Sequence, residues 1–91
     1  MIFHILLLEN ISFNNSNLRN SSFQENKLKS ILFMKADLTQ VQFFKTSLRG
    51  INFSDSIIEQ MAVSIEDIRG AVINQFQAVD LLYLLGVKIK Y

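Results

Sequence analysis

The 91 residues hold nine basic and eight acidic side chains, for a net charge of +1, with no cysteine, no proline and three glycines. That balance excludes a disulfide framework and a thiolate metal site, and it argues against the basic footprint of a direct nucleic-acid binder. With 49% hydrophobic residues and a mean hydropathy of +0.24, the chain is expected to fold, as one domain at this length.

The opening MIFHILLLEN is the most hydrophobic run of the first half. It falls short of the ~20 apolar residues of a membrane span, and it lacks the basic start and small-residue cleavage site of a signal peptide. A cytoplasmic protein with no membrane partner is therefore expected. His4, the sole histidine, reads as a terminal surface residue, not as a metal ligand.

From Phe3 onward every fifth residue is Phe or Leu in strict alternation: Phe3, Leu8, Phe13, Leu18, Phe23, Leu28, Phe33, Leu38, Phe43, Leu48 and Phe53. The register continues, degraded, through Ile58, Val63, Ile68 and Ile73. Two residues before each centre stands a second, mostly small or β-branched residue, as at Ile31, Ala36, Val41, Thr46 and Ile51. The apolar spacing thus alternates two and three, a mean of about 2.5, which is neither the 3.6 of a helix nor the 2.0 of a half-buried strand. Each pentapeptide reads as a short extended piece pointing two groups inward, followed by a turn.

A longer period of twenty is superimposed on the five: Ile11, Ile31 and Ile51 recur, as do SLRGINF (47–53) and DIRGAVI (67–73). Four pentapeptides per turn make a four-sided coil. On it Phe13, Phe33 and Phe53 stack on one side and Phe3, Phe23 and Phe43 on the opposite one. Leu8, Leu28, Leu48 and Ile68 line a third side, and Leu18, Leu38 and Ile58 the fourth. Residues 1–75 then form about 3.75 coils, roughly 18 Å at strand spacing.

KADLTQ at 35–40, with Ala36, Asp37 and Leu38 in place, resembles the pentapeptide repeat family and its A(D/N)LXX consensus. The resemblance implies an all-β solenoid, a right-handed quadrilateral β-helix. Asn26, Met61 and Glu66 depart from the small-inward rule. An inward Glu66 would bury an unpaired carboxylate, so the coil is expected to distort there or to turn Glu66 outward. A competing local reading makes Ser64 the N-cap of a helix, with Asp67 three residues on.

After Ile73 the five-residue period stops, and residues 76–91 read as a C-terminal capping α-helix followed by a short strand. Phe76, Val79, Leu82, Tyr83 and Leu85 fall on helical spacing, Asn74 suits an N-cap, Gly86 suits the residue just past the helix, and VKIKY alternates. This segment resembles the C-terminal element of many members of the family, which in the quinolone-resistance group helps form a dimer. Phe76, Leu81, Tyr83, Leu84 and Tyr91 are the candidate dimer and cap surface, since they cannot all face the last coil. No cap precedes Phe3, so an apolar open end and leftover cap surface together predict a homodimer.

No catalytic constellation is legible, the glycines are isolated, and neither an enzyme nor a cofactor, metal or small-molecule substrate is expected. Chemistry must lie on the outer faces. Lys27, Lys29, Arg49 and Arg69 form a basic column and Leu32 and Met34 an apolar patch; these six are the candidate partner surface. Outward Phe44, Ile57 and Ile65 add apolar area, while Lys35 over Asp55 and Glu25 over Lys45 pair opposite charges. The reading is a non-catalytic protein-interaction or structural module, a shortened family member with an unidentified protein partner. The alternative implied by the resemblance is a DNA mimic that binds DNA gyrase or topoisomerase IV and modulates quinolone susceptibility. Duplex mimicry needs a negative field, and a chain of charge +1 does not supply one.

Overall fold

A five-residue period obliges the backbone to turn a corner between successive inward side chains, and the structure shows how each corner is made. It is a computed structural model that describes residues 2–4, 7–88 and 90. Asn10, Asn15, Asn20, Glu25, Ser30, Lys35, Gln40, Lys45, Gly50, Gln60 and Gly70 all have positive φ, between 49° and 82°. A left-handed residue bends the chain at every fifth position from Asn10 to Gly70 except Asp55 and Ile65, and asparagine occupies three of the sites because its side chain tolerates that region. Where the chain folds back tightest, residues 18, 38, 48, 58 and 68 accept from the amide three residues on, as in Val41 N to Leu38 O at 3.1 Å.

Between corners lie three-residue strands: β1 (Ile2–His4), β2 (Leu7–Glu9), β3 (Ser12–Asn14), β4 (Ser22–Gln24), β5 (Lys27–Lys29), β6 (Leu32–Met34) and β7 (Gln42–Phe44). All pairing is parallel and offset by twenty: Phe3 lies beside Phe23 and Phe23 beside Phe43, Leu8 beside Leu28, and Phe13 beside Phe33. Bridges from Asn17 to Asp37 and from Asp37 to Ile57 hold the fourth side. The coils are laced by amides such as Leu38 N to Ile57 O at 2.8 Å and Ala62 N to Val41 O at 2.9 Å. The result is a four-sided β-helix whose sheets each carry one inward column.

That inward column is the core. Phe23, Leu38, Leu48 and Phe53 are fully buried, and Leu18, Phe33, Phe43, Ile58 and Val63 nearly so. Leu8, Phe13, Leu28, Ile68 and Ile73 are only partly buried and pack against this cluster. The side chain of Phe3 lies outside the described residues. The phenyl rings stack in register, Phe13 on Phe33 at 5.4 Å, Phe33 on Phe53 at 5.5 Å and Phe23 on Phe43 at 5.0 Å, each pair within 15° of parallel. Thr46 and Ser56, two of the polar inward residues, are engaged. Thr46 Oγ1 accepts from Asn26 N at 3.2 Å and donates to Phe44 O at 3.0 Å, and Ser56 Oγ donates to Phe33 O at 3.0 Å. Met61 fits the tube without exposure.

Glu66 is resolved by a helical turn. In α1 (Ile65–Ile68), Ser64 caps the start, its Oγ accepting from Asp67 N at 3.2 Å. Both sequence expectations hold at once: Ser64 is an N-cap, and Glu66 turns outward. The coil keeps its register, because Leu48 N still donates to Asp67 O at 2.8 Å.

The helix read from Phe76 onward is shorter and divided, α2 (Gln77–Leu81) running into a 3₁₀ turn at Leu82–Leu85 that ends at Gly86 with φ 71°. The alternation of VKIKY does not make a strand: Val87, Lys88 and Lys90 are irregular and exposed, and Ile89 and Tyr91 lie outside the described residues. An alternating pattern needs a neighbouring edge to pair with, and none stands beside these residues in the described structure.

Candidate interaction surface

Because the tube is filled, everything accessible lies on corners and outward positions. One reason the family consensus places Asp or Asn just before the inward residue is visible here. Asn17, Asp37 and Asn52 each accept, through Oδ1, from the amide two residues on, at 3.1, 3.1 and 2.9 Å. Thr39 Oγ1 adds a bond of 2.6 Å to Asp37, and Arg19 lies 3.8 Å from it. The bonds from Thr39, with the nearby Arg19 charge, hold the Asp37 carboxyl below the ordinary carboxylate range.

The basic column stands on the side whose inward residues are Leu28, Leu48 and Ile68. Lys27, Lys29, Arg49 and Arg69 are all exposed. A hollow of about 410 Å³ opens among Lys27, Lys45, Ser47, Arg49, Asn26 and Asp67. Lys45 is tied to Glu25 at 3.8 Å and lies 5.4 Å above the Phe44 ring. Glu25 over Lys45 was legible as a pair. Lys35 and Asp55 meet instead through the backbone, Lys35 N to Asp55 O at 3.1 Å, and no ion pair among the described residues joins their side chains.

Leu32 and Met34 project outward, about half exposed, as do Phe44, Ile57 and Ile65. The first two are bounded by polar outward neighbours, Ser12 and Asn14 in the preceding coil and Asn52 and Ser54 in the next. They form a small island. Phe44 belongs to a larger feature, a groove of about 710 Å³ that it lines with Ala62, Ser64, Glu66, Lys45 and Leu84.

The candidate dimer and cap residues divide between two faces. Leu81 and Leu84 pack on the core cluster, whereas Phe76 is 77% exposed and Val79, Tyr83 and Leu85 are about half exposed. Helical spacing therefore marked the outer stripe rather than the buried one. The inner face is anchored by Gln77, which the sequence reading passed over because it is polar. Its Nε2 donates to Phe53 O at 2.7 Å and to Ser56 O at 2.6 Å, and it is 6% exposed. Asn74 Oδ1 accepts from Gln77 N at 2.9 Å while Gln77 Oε1 accepts from Asn74 N at 2.9 Å, a reciprocal capping box. The spacing Asn74-x-x-Gln77 was the available signal. Tyr83 Oη donates to Met61 O, and partial burial, with Asp80 nearby, raises its pKa.

No helix among the described residues is long and apolar enough to cross a membrane, and no cluster of three or more metal-binding side chains occurs among them. Residues 7–40 match the family model of pentapeptide repeats, in eight copies. None of the curated proteins matches this sequence. Among solved structures the chain is similar to a trypsin-treated variant of QnrB1, a plasmid-mediated fluoroquinolone resistance protein, at 14% identity and a TM-score of 0.50. The match covers 93% of this chain but only 45% of that one, so this chain spans under half its length. At that identity the likeness is one of fold. Repeats and likeness together imply that the β-helix is right-handed.

Proposed function

Since this chain carries pentapeptide repeats over residues 7–40, wound into a right-handed β-helix, we propose that it is a non-catalytic interaction module that works as a homodimer. The supporting observation is the outer stripe of the C-terminal segment. Phe76 and Val79, at i and i+3, are exposed on an element whose opposite face is already used by Gln77, Leu81 and Leu84, with the half-exposed Tyr83 bonded to Met61 O beside them. Exposed apolar area of this kind is stabilised by burial against a partner, and an identical stripe is self-complementary about a two-fold axis. In the same reading the segment caps the tube: Gln77 supplies the donors that a further coil would bring to Phe53 O and Ser56 O. The tube serves as a rigid support in the cytoplasm whose remaining faces meet other proteins.

Sedimentation velocity tests the proposal. The protein should run as a dimer at ~50 µM, a concentration at which a micromolar complex is formed. The Phe76→Ser, Val79→Ser variant should run as a monomer with unchanged circular dichroism. A monomeric parent, or a dimer that survives the double substitution, overturns it.

The second reading, a DNA mimic acting on gyrase or topoisomerase IV, draws on the shared fold with a fluoroquinolone resistance protein. Its difficulty is charge, because the outer columns mix cations with anions, and one of them is basic over three coils, where a mimic needs a negative field. Supercoiling by gyrase with and without a quinolone decides it, and a protein without effect at tens of micromolar removes it.

A further inference from the structure

The recurrent Arg-Gly pairs of SLRGINF and DIRGAVI stand at left-handed corners, which elsewhere in the tube are made without glycine. Most left-handed corners of the tube are built from Asn, Glu, Ser, Lys or Gln. Glycine occupies only the two that follow Arg49 and Arg69, at φ 78° and 82°. At Gly50 a Cβ would meet nothing within 4 Å, so packing does not demand glycine there. At Gly70 a Cβ would stand 2.9 Å from Arg49 Cγ and 3.3 Å from Arg49 Nε. The bare corner is what lets Arg49 lie along the column toward the next coil, whose backbone is bonded to its own through Gly50 N to Gly70 O at 2.9 Å.

Arg49 thus stands between Lys29 and Arg69, one coil away on either side, at a spacing of ~4.8 Å. Lys29, Arg49 and Arg69 take part in neither of the ion pairs found among the described residues, so their mutual repulsion is not relieved by a neighbouring carboxylate in bonded contact. Lys27 and Lys45 flank them around the hollow of about 410 Å³. Glu9, Glu25, Glu66 and Asp67 are the acids of this side and its corner, four against five cations. A positive ladder held in place by a glycine, with open corners beside it, has the form of a receiving surface.

We propose that the Lys29–Arg49–Arg69 column binds an acidic helix of a partner protein laid along the tube axis. The inference rests on the interaction-module reading and gives its partner class. Side chains three and four apart on a helix are ~5–6 Å apart at Cβ, close to the coil spacing, whereas alternate side chains of an extended strand are ~6.7 Å apart and drift out of step within two coils. Guanidinium groups reward this match, since each presents a planar fork to a carboxylate.

Fluorescence anisotropy with labelled alanine-based peptides tests the proposal. One peptide carries glutamates at i, i+4 and i+8; its isomer of equal composition spreads them around the helix. The striped peptide should bind about tenfold more tightly than the isomer and weaken as salt rises from ~50 to 200 mM. Arg49→Gln, Arg69→Gln should lose about tenfold or more, while Lys35→Gln, on a different corner, should not. Equal binding of the isomer, an equal loss in Lys35→Gln, or binding of heparin or duplex DNA but of neither peptide overturns it. Sedimentation reads the dimer separately: a monomer that binds the striped peptide refutes only the self-association, and a dimer that does not bind it refutes only the column.

Discussion

Phe33→Ala is the sharpest test of the tube. Phe33 is 2% exposed and lies between two rings, Phe13 at 5.4 Å and Phe53 at 5.5 Å, tilted by 12° and 15°. Truncation removes a buried phenyl and leaves a gap that the ladder above and below cannot close, because Phe33 and its neighbours are held at fixed coil spacing. Buried Phe→Ala substitutions cost ~3–5 kcal/mol, and the loss of two stacking partners puts this one near the upper end. At ~0.05–0.15 kcal/mol per residue, a chain of this length holds roughly 5–14 kcal/mol in all. Urea unfolding followed by circular dichroism should therefore show the midpoint falling by about 2 M at a slope of ~2 kcal/mol/M. Phe13→Ala is the internal control, since Phe13 is only partly buried, and it should cost about half as much. A loss below ~1 kcal/mol for Phe33→Ala, or a larger loss for Phe13→Ala, would refute the inward register on which the architecture depends.

Gln77→Ala should cost ~1–3 kcal/mol by leaving Ser56 O without its donor and Phe53 O with that of Ser56 N alone, and hydrogen exchange should show residues 77–85 opening ahead of the coils. Gly70→Ala should destabilise more than Gly50→Ala in thermal melts. Both place a Cβ at positive φ, at a cost of about 1 kcal/mol, and only the first also drives it into Arg49; equal shifts would mean that Arg49 does not lie there. Asp37 titrates below its ordinary value through its bonds from Thr39 and the charge of Arg19. The stability it contributes is complete above the unfolded pKa of ~3.9 and is lost as pH falls through the lower folded pKa. The advantage of the parent over Asp37→Asn in urea midpoint should hold near neutrality and shrink in that acid window, and a difference constant to pH 2 would refute the assignment.

The tube was legible because it repeats. An inward Phe33 needs only its own pentapeptide and the ones twenty residues before and after it to define its environment, so the period states the packing directly. Phe44 could be separated from Phe43 on register alone, and it is 55% exposed against 3%. The basic column was legible for the same reason. Where the period lapses, sequence logic weakens. Glu66 announced a conflict without saying how it is resolved, and Ser64 with Asp67 settles it by a helical turn that stays within the ladder.

Beyond Ile73 the governing fact is the surface the segment lands on. Apolar spacing favoured Phe76 and Val79, but the last coil presents the Ser56 carbonyl and the second lone pair of the Phe53 carbonyl, and a buried carbonyl without a donor costs more than an exposed phenyl. A polar residue therefore goes inward at Gln77, with Leu81 and Leu84 beside it, and the more conspicuous hydrophobic stripe is left outside. The amino-acid sequence by itself determined the period, the four sides, the inward columns and the charge of each outer column, all of which follow from side-chain alternation along one strand. Only the tertiary structure decided which face of the C-terminal segment is covered and where Arg49 lies. Those outcomes depend on groups contributed by a different coil, at a separation that the local pattern does not encode.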